Sequence, residues 1–500
     1  MLLANGTIVD GTGAPSWRGD VLVEGGRISA VSCGIEAPAA RRIDCMGLTI
    51  APGFIDAHSH SDLQVLENRP EKWMQGVTTE VVGNCGFSAF PCARHAEAVR
   101  EFANGIFCGT GAWSWGSARD YLDHVERASA SGVRALTGHG TVRVDYAGAL
   151  QGPLEPALVE AMAASLTESI EAGSVGLSTG LMYAPGSSAP RPELERLCGV
   201  VAKLDAIHCT HMRSYTGELL EAVDEQIVLA RATGCRLQIS HLQAAGRANW
   251  HLQSRALEKI ERAAEEGIDI EFDIYPYLAG STVLTQLLPQ WALDGGTAAM
   301  LGRLRDAGQR AGIAAEVGKR PADSWGDVLI TGVQTEGNRD VVGCTVAEIA
   351  LQRGAGPVDT VLDLLIEERG EATIISFNQS DDNLRELLTH RRCTVISDGF
   401  YVKGRPHPRL FGTFPELLGK ICREKRWMTV EEAVHKITAK PALRFGVKDA
   451  GVLRAGMSAD ITVFDAETVG SPATYSDPEQ PPVGIRLVFR KGRQLWPAVS

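Results

Sequence analysis

Two histidines separated by a single residue follow a short apolar run, Ile50–Asp56. The run reads as a buried strand, and side chains alternate along a strand, so His58 and His60 should project to the same side. Two imidazoles aimed at one point are suited to binding a metal ion. For an isolated pair of this kind, two surface histidines after a strand would be the more common explanation.

Further metal-binding side chains and bases stand where later strands are predicted to end, namely Cys85, His211, His241 and Asp398. Taken singly, each has an ordinary interpretation: a small buried cysteine, two core histidines and an aspartate that caps a helix. Zinc binds imidazole and thiolate readily, and its catalytic sites keep one position open for water. The joint placement of these residues therefore favours a metal centre over the surface interpretation of His58 and His60.

The element pattern explains how such distant residues could meet. From about residue 53 to 445, short apolar strands alternate with helical segments, which predicts an α/β chain forming a (β/α)₈ barrel. Barrel enzymes carry their chemistry at the carboxyl ends of the strands. A long, mostly helical span at about 287–345 is expected to be an insertion between the last two strands. The apolar run Ala372–Phe377 leaves the strand count ambiguous.

Both ends of the chain are rich in short β-prone runs broken by glycine. Residues 1–52 and 446–500 are expected to form one small β-sandwich completed by both termini. Two unrelated β appendages are the alternative.

Composition narrows the class of protein. The formal net charge of −12 argues against a nucleic-acid-binding surface. No apolar run reaches the roughly 18 residues needed to cross a bilayer, and no secretory signal is visible at the N-terminus. Eleven scattered cysteines do not suggest a disulfide framework, so a cytoplasmic location is expected. Apart from Cys85, the cysteines show no spacing typical of metal ligands.

Several segments together carry a family resemblance. They are Pro52–His60, Gly83–Ser88, Gly176–Gly186, Thr210–Ser214, Ile239–Leu242, Tyr275–Thr282, Ser397–Gly399, His407–Phe414 and Gly451–Asp460. In combination they resemble the N-acyl-D-amino-acid deacylase (D-aminoacylase) family of the metal-dependent amidohydrolase superfamily. The resemblance extends over nearly the whole chain, and it implies a zinc-dependent hydrolase that removes the acyl group from an N-acyl-D-amino acid.

The resemblance also implies roles for individual residues. A tightly bound zinc ion would be held by Cys85, His211 and His241, with His58 and His60 near a weaker second metal position. The Cys85 thiolate would replace the carboxylated lysine that bridges two metals in many relatives. Asp398 would be the general acid and base, and Tyr183 would hydrogen-bond the developing oxyanion.

The substrate's α-carboxylate would, by the same resemblance, be held by Tyr275, Ser281 and Arg409. Gln243 is a departure, because the family usually has lysine at this position, and an amide brings no charge. A substrate in which an amide, ester or lactam replaces the carboxylate is therefore an alternative. His139 resembles part of a family motif near the site and is expected to support the structure rather than bind metal.

Two other functions are less consistent with the sequence. A cyclic amidase of the hydantoinase or dihydroorotase type would need a bridging lysine on the fourth strand, and the segment Val175–Thr179 has none. A catalytically inactive barrel would be expected to lack a ligand or the equivalent of Asp398, and all are present in the sequence.

Overall fold

The computed structural model describes residues 1–107, 113–148, 152–402 and 404–497. Its strands are β1 (Leu2–Ile8), β2 (Trp17–Glu24), β3 (Arg27–Ser32), β4 (Arg42–Asp44), β5 (Thr49–Pro52), β6 (Phe54–Asp56), β7 (Val77–Val82), β8 (Gly132–Gly138), β9 (Gly176–Gly180), β10 (Ile207–His211), β11 (Arg236–Ile239), β12 (Ile270–Ile274), β13 (Ala279–Val283), β14 (Val328–Gly332), β15 (Thr373–Phe377), β16 (Cys393–Val395), β17 (Ile461–Phe464), β18 (Ile485–Arg490) and β19 (Arg493–Trp496).

Its α-helices are α1 (Ala96–Ala103), α2 (Ala118–Ala128), α3 (His139–Ala147), α4 (Pro156–Glu171), α5 (Arg191–Lys203), α6 (Leu219–Thr233), α7 (Gln253–Glu265), α8 (Gln290–Leu293), α9 (Gly296–Arg305), α10 (Ala307–Val317), α11 (Val346–Arg353), α12 (Pro357–Glu367), α13 (Asp381–Thr389), α14 (Arg409–Glu416), α15 (Val430–Lys436) and α16 (Ala439–Arg444). Within the described ranges, no helix is both long and apolar enough to span a bilayer.

The predicted (β/α)₈ barrel is confirmed. Eight parallel strands follow one another in the order β6, β7, β8, β9, β10, β11, β12 and β16. The circle closes beyond the ends of β16 and β6, where Ser59 and Gly399 form a parallel bridge. In this bridge the amide of Asp398 donates to the carbonyl of His58 at 2.8 Å. Closure thus brings the last strand end against the first, which places Asp398 next to the paired histidines.

The outer helices cover the barrel through apolar faces at helical spacing. On α7, for example, Ala256, Leu257 and Ile260 are buried while the intervening charged residues face solvent. The strands are buried on both sides, as shown by β7, in which all six residues are buried.

The two β-rich ends build one mixed eight-stranded sheet, so the alternative of two unrelated appendages is wrong. Its main path is β19-β18-β17-β5-β1-β2-β3, and β4 pairs with β1. Strand β5, from the N-terminal segment, pairs in parallel with β1 and antiparallel with β17 from the C-terminal segment. Each end therefore completes the sheet begun by the other.

The composition of the apolar run before His58 suggested a single strand, but the structure divides the run into two strands. Its first half, β5, belongs to the mixed sheet, and its second half, β6, is the first barrel strand. Gly53 separates them, and a Cβ at this position would lie 2.3 Å from Oγ1 of Thr78. The chain can pass from one sheet to the other here because glycine permits this close approach.

The insertion between β12 and β16 is longer than the expected range of about 287–345. It begins and ends with strands, since β13 and β15 form an antiparallel ladder in which Ala279 pairs with Phe377. Strand β14 pairs with the other edge of β15, and the enclosed helices have a hydrophobic core of their own. The ambiguous run Ala372–Phe377 therefore forms β15 of the insertion and not a barrel strand. The division into domains at residues 52/53 and 445/446 stays a prediction.

Candidate metal centre and active site

The predicted metal-binding residues lie together at the carboxyl end of the barrel. His58 and His60 follow β6, Cys85 follows β7, His211 ends β10 and His241 follows β11. All five are buried. Cys85 and His241 have positive φ angles of 53° and 36°, as does Asp398 at 49°. Non-glycine residues rarely adopt this conformation, and it is typical of functional sites held in place by the surrounding structure.

The spacing of the donor atoms fits a shared metal ion. Sγ of Cys85 lies 3.3 Å from Nε2 of His58 and 3.5 Å from Nε2 of His241. The same His241 nitrogen lies 3.1 Å from Nδ1 of His211. Ligands of one tetrahedral zinc ion, at bond lengths of about 2.0–2.3 Å, are separated by roughly 3.3–3.6 Å. His58, Cys85 and His241 thus have the spacing of metal ligands, and His211 lies beside them.

A second group of donors adjoins the first. Nε2 of His58 and Nε2 of His60 lie 3.4 and 3.2 Å from Oδ1 of Asp398. The three donor atoms lie within 4.8 Å of one another, as do those of His58, Cys85 and His241. His58 belongs to both groups, so the two candidate positions are adjacent, and its Nε2 can bind a cation at only one of them.

Two anions at the centre of this cluster favour a bound cation. Burial disfavours a thiolate, yet the charge of His58 and hydrogen bonds from His211 and His241 hold the pKa of Cys85 well below its ordinary value. Burial likewise disfavours the Asp398 carboxylate, but the Arg409 guanidinium and then His58 hold its pKa well below the usual range. Both shifts favour the anionic form, in which a thiol binds a metal ion and a carboxyl can act as a general base.

The predicted substrate residues border the same cavity, which has a volume of about 150 Å³. Its walls include Tyr183, Gln243, Tyr275, Ser281 and Arg409 together with His60, Cys85, His211, His241 and Asp398. Arg409 is 1% exposed, so it is not a surface arginine, the ordinary alternative for its proline-rich segment. Ser281 comes from β13 and hence from the insertion rather than from a barrel strand.

Arg409 contacts both the predicted base, Asp398, and the predicted carboxylate-binding residue Tyr275. Its Nη1 lies 3.0 Å from Oδ2 of Asp398, and its guanidinium carbon lies 4.7 Å from the centre of the Tyr275 ring. Nε2 of Gln243 donates to the hydroxyl of Tyr275 at 3.3 Å. The expected carboxylate-binding residues are therefore in contact with one another and with the predicted base.

A buried lysine beneath the site was not anticipated. Nζ of Lys72 lies 2.5 Å from Oδ2 of Asp56, 2.8 Å from Oγ of Ser397 and 3.7 Å from Oε2 of Glu80. Asp56 stands two residues before His58, and Ser397 directly precedes Asp398. These contacts thus tie together the two strand ends that carry His58 and Asp398.

His139 supports the wall of the cavity near Tyr183, as expected, and it is not one of the candidate metal-binding residues. Its Nε2 contacts Oε1 of Glu193 at 2.8 Å, and Arg143 contacts the same carboxylate at 3.0 Å. Arg143 also donates to the carbonyl of Pro185 at 3.3 Å, two residues after Tyr183.

A further group of donors lies in the barrel wall outside the cavity. Cys198 on α5, His208 on β10 and Cys235 before β11 have ligand atoms within 4.8 Å of one another, and all three are buried. The expectation that these cysteines have no ligand-like arrangement was based on spacing along the chain, which cannot show a helix packed against two strands.

Comparison with known proteins identifies the family. The model of the amidohydrolase family matches residues 41–495. An N-acyl-D-glutamate deacylase and a D-aminoacylase of Alcaligenes xylosoxydans xylosoxydans are 34% and 33% identical to the chain. Both alignments cover 99% of this chain, and they cover 93% and 94% of the respective relatives.

Among solved structures, the N-acyl-D-glutamate deacylase of Bordetella bronchiseptica superimposes with a TM-score of 0.85 at 33% identity, covering 99% of this chain and 96% of that one. That protein was crystallised with zinc and a phosphonate inhibitor that mimics the tetrahedral intermediate. An L-hydantoinase of Arthrobacter aurescens, 16% identical with a TM-score of 0.55, covering 99% of this chain and 95% of that one, shares the fold alone. The chain belongs to the amidohydrolase family, together with the N-acyl-D-amino-acid deacylases.

Proposed function

We propose that this amidohydrolase cleaves N-acyl-D-amino acids to a carboxylate and a free D-amino acid. The observation that carries the proposal is the convergence of Cys85, His211, His241, Asp398 and Arg409 on one cavity. It combines metal donors, an ionised carboxylate and a cation that can bind a substrate carboxylate. Deacylases that match over nearly the whole chain support the same reaction.

Cys85, His211 and His241 would hold one zinc ion, and His58 and His60 would contribute to a weaker second position. When bound, zinc polarises the amide carbonyl and lowers the pKa of a water molecule to near 7. The Cys85 thiol would suit this role because zinc binding removes the thiol proton outright.

Asp398 would transfer the proton. Its Oδ1 faces the histidines and is the atom that accepts a proton from the attacking water, while Oδ2 remains paired with Arg409. As water oxygen bonds to the carbonyl carbon, the C=O π electrons move to the carbonyl oxygen and form an oxyanion. When the oxyanion re-forms the C=O bond, the C–N bond breaks and Oδ1 gives the proton to the leaving amine. The pairing with Arg409 fixes the orientation of the carboxylate during both steps.

Tyr183 would stabilise the developing oxyanion. Burial, followed by the charge of Cys85, raises the pKa of its phenol, so the hydroxyl stays protonated and can donate a hydrogen bond. Its ring centre lies 4.7 Å from that of His211, beside the metal donors.

Arg409, Tyr275 and Ser281 would bind the α-carboxylate of the substrate, because a guanidinium pairs well with a carboxylate. A second candidate is an amide without a free carboxylate. Two observations favour it: Gln243 brings no charge, and Nη1 of Arg409 already contacts Asp398.

Amine release from a panel of N-acyl-D-amino acids, their L-enantiomers and their carboxamides tests the proposal. We expect D-selective hydrolysis, about one zinc ion per chain, and a loss of about 10²–10⁴-fold in kcat for Asp398→Asn. Asp382→Asn, an exposed aspartate on α13, is the control and should keep full activity. Hydrolysis restricted to the carboxamides would favour the second candidate, and the absence of bound metal would refute the mechanism.

A further inference from the structure

A second cavity, of about 440 Å³, opens between the barrel and the insertion. On the barrel side it is lined by Phe87, Phe102 and Val144, and on the insertion side by Val283, Leu293 and Met300. Of its charged lining residues, Glu101 and Arg369 are solvent-exposed and Glu371 is half-buried. Most of the lining is apolar, and the volume is typical of a small-molecule binding site.

This apolar cavity adjoins the candidate active site. Ile106, Tyr183 and Gln286 line both cavities. A row of aromatic rings leads from the candidate active site into the apolar cavity. The ring centres of Tyr183 and Phe87 lie 5.2 Å apart, and those of the stacked rings Phe87 and Phe102 lie 4.5 Å apart. A chain that passes Tyr183 would thus remain in contact with apolar surface.

The orientation of the substrate decides which of its parts enters the apolar cavity. The carboxylate-binding residues Tyr275, Ser281 and Arg409 line the smaller cavity and are not among the residues that line the larger one. In an N-acyl amino acid, the α-carbon and the acyl chain leave the scissile amide on opposite sides. With the carboxylate held at Arg409, the acyl chain is directed past Tyr183.

We propose that the apolar cavity binds the acyl chain, and that the preferred substrates are N-acyl-D-amino acids with a long aliphatic acyl group. This inference rests on the proposed deacylase function and specifies its substrate class. Burial of each added methylene should raise kcat/KM about fourfold until the cavity is filled. The increase should come mainly from KM, because the chain binds equally in the ground and transition states.

Two matched substrate series test the assignment. One extends the acyl group of N-acyl-D-alanine from acetyl to butanoyl, hexanoyl and octanoyl. The other keeps acetyl and extends the D-amino-acid side chain by the same number of carbons. We expect the steep rise in the acyl series alone. A flat acyl series, or a rise confined to the side-chain series, would overturn the assignment, whereas no hydrolysis of either series would instead refute the deacylase function.

Variants that fill the cavity provide a second test. Ala98 on α1 and Ala298 on α9 line opposite walls, and Ala298 is exposed, so Ala298→Trp should not disturb folding. In Ala98→Phe and Ala298→Trp we expect the ratio of kcat/KM for octanoyl over acetyl substrate to fall at least tenfold. Glu97→Phe, on an exposed position of α1 outside the cavity, should leave the ratio unchanged. An unchanged ratio in both filling variants would contradict the proposal.

Discussion

Gln243 offers the sharpest test of carboxylate recognition. The residue is 8% exposed, its Nε2 donates to the Tyr275 hydroxyl at 3.3 Å, and its Oε1 has no hydrogen-bond partner within the described part of the chain. Replacement by lysine would place a cation beside Tyr275 and Arg409, where the proposed substrate carboxylate binds. We therefore expect Gln243→Lys to lower KM for N-acetyl-D-amino acids.

The magnitude follows from the kind of hydrogen bond exchanged. A neutral hydrogen bond contributes about 0.5–1.5 kcal/mol and one to a charged partner about 1.5–3 kcal/mol. A gain of roughly 1–1.4 kcal/mol corresponds to a KM about five to ten times lower. Burial of the new ammonium and its repulsion from Arg409 in the free enzyme oppose this gain, so five- to tenfold is an upper range. The value of kcat should change little, because the carboxylate is bound equally throughout the reaction.

Steady-state kinetics on an N-acetyl-D-amino acid and on its carboxamide would check this prediction. Gln243→Met, which has similar length and no charge, is the control and should not lower KM. An unchanged or higher KM for the carboxylate substrate would refute the reasoning. An equal decrease for the carboxamide would show that charge recognition is not involved.

Three further outcomes are expected from the buried ionic contacts and the metal site. Lys72→Met would leave the Asp56 and Glu80 carboxylates buried without their cation, so urea denaturation should show a free energy of unfolding lower by about 3–5 kcal/mol. Lys319→Met, at an exposed ion pair, should change it by less than about 1 kcal/mol. Burial opposes ionisation of Glu193, but His139 and Arg143 lower its pKa from an ordinary 4.5. Ionised Glu193 thus contributes its full stabilisation above pH 4.5, its ordinary pKa, and this stabilisation is lost as the pH falls through the lower pKa of the folded protein. The deficit of Glu193→Gln in the same assay should therefore shrink on acidification, and a pH-independent deficit would contradict this. Elemental analysis should find less zinc in His211→Ala than in His251→Ala, an exposed control, and equal zinc would remove His211 from the ligand set.

The barrel and the cluster of donors could be predicted from the sequence because both correspond to a regular pattern of residues. Apolar strands alternate with helices, and His58, Cys85, His211, His241 and Asp398 each follow such a strand. Barrel closure then brings these strand ends together without any further information. The roles of these residues in catalysis stay predictions.

Features that depend on contacts between distant segments were not predictable. The division of the run Ile50–Asp56 at Gly53 depends on Thr78, which approaches from another strand. Lys72 resembles a surface lysine until Asp56 and Glu80 are seen to surround its ammonium group. Ala372–Phe377 has the composition of a barrel strand, and only its antiparallel partners assign it to the insertion.

The passage of the chain from β5 to β6 has a consequence for biosynthesis. Ile50 on β5 pairs with Val463 on β17, and three residues after β5 ends the chain is already in the barrel strand that leads to His58. During translation β5 must wait for nearly the whole chain to emerge before its partner is available, which is a contact of very high sequence separation. The position of His58 therefore depends on a strand that is synthesised late. Loss of β17 should impair metal loading although that strand contributes no ligand.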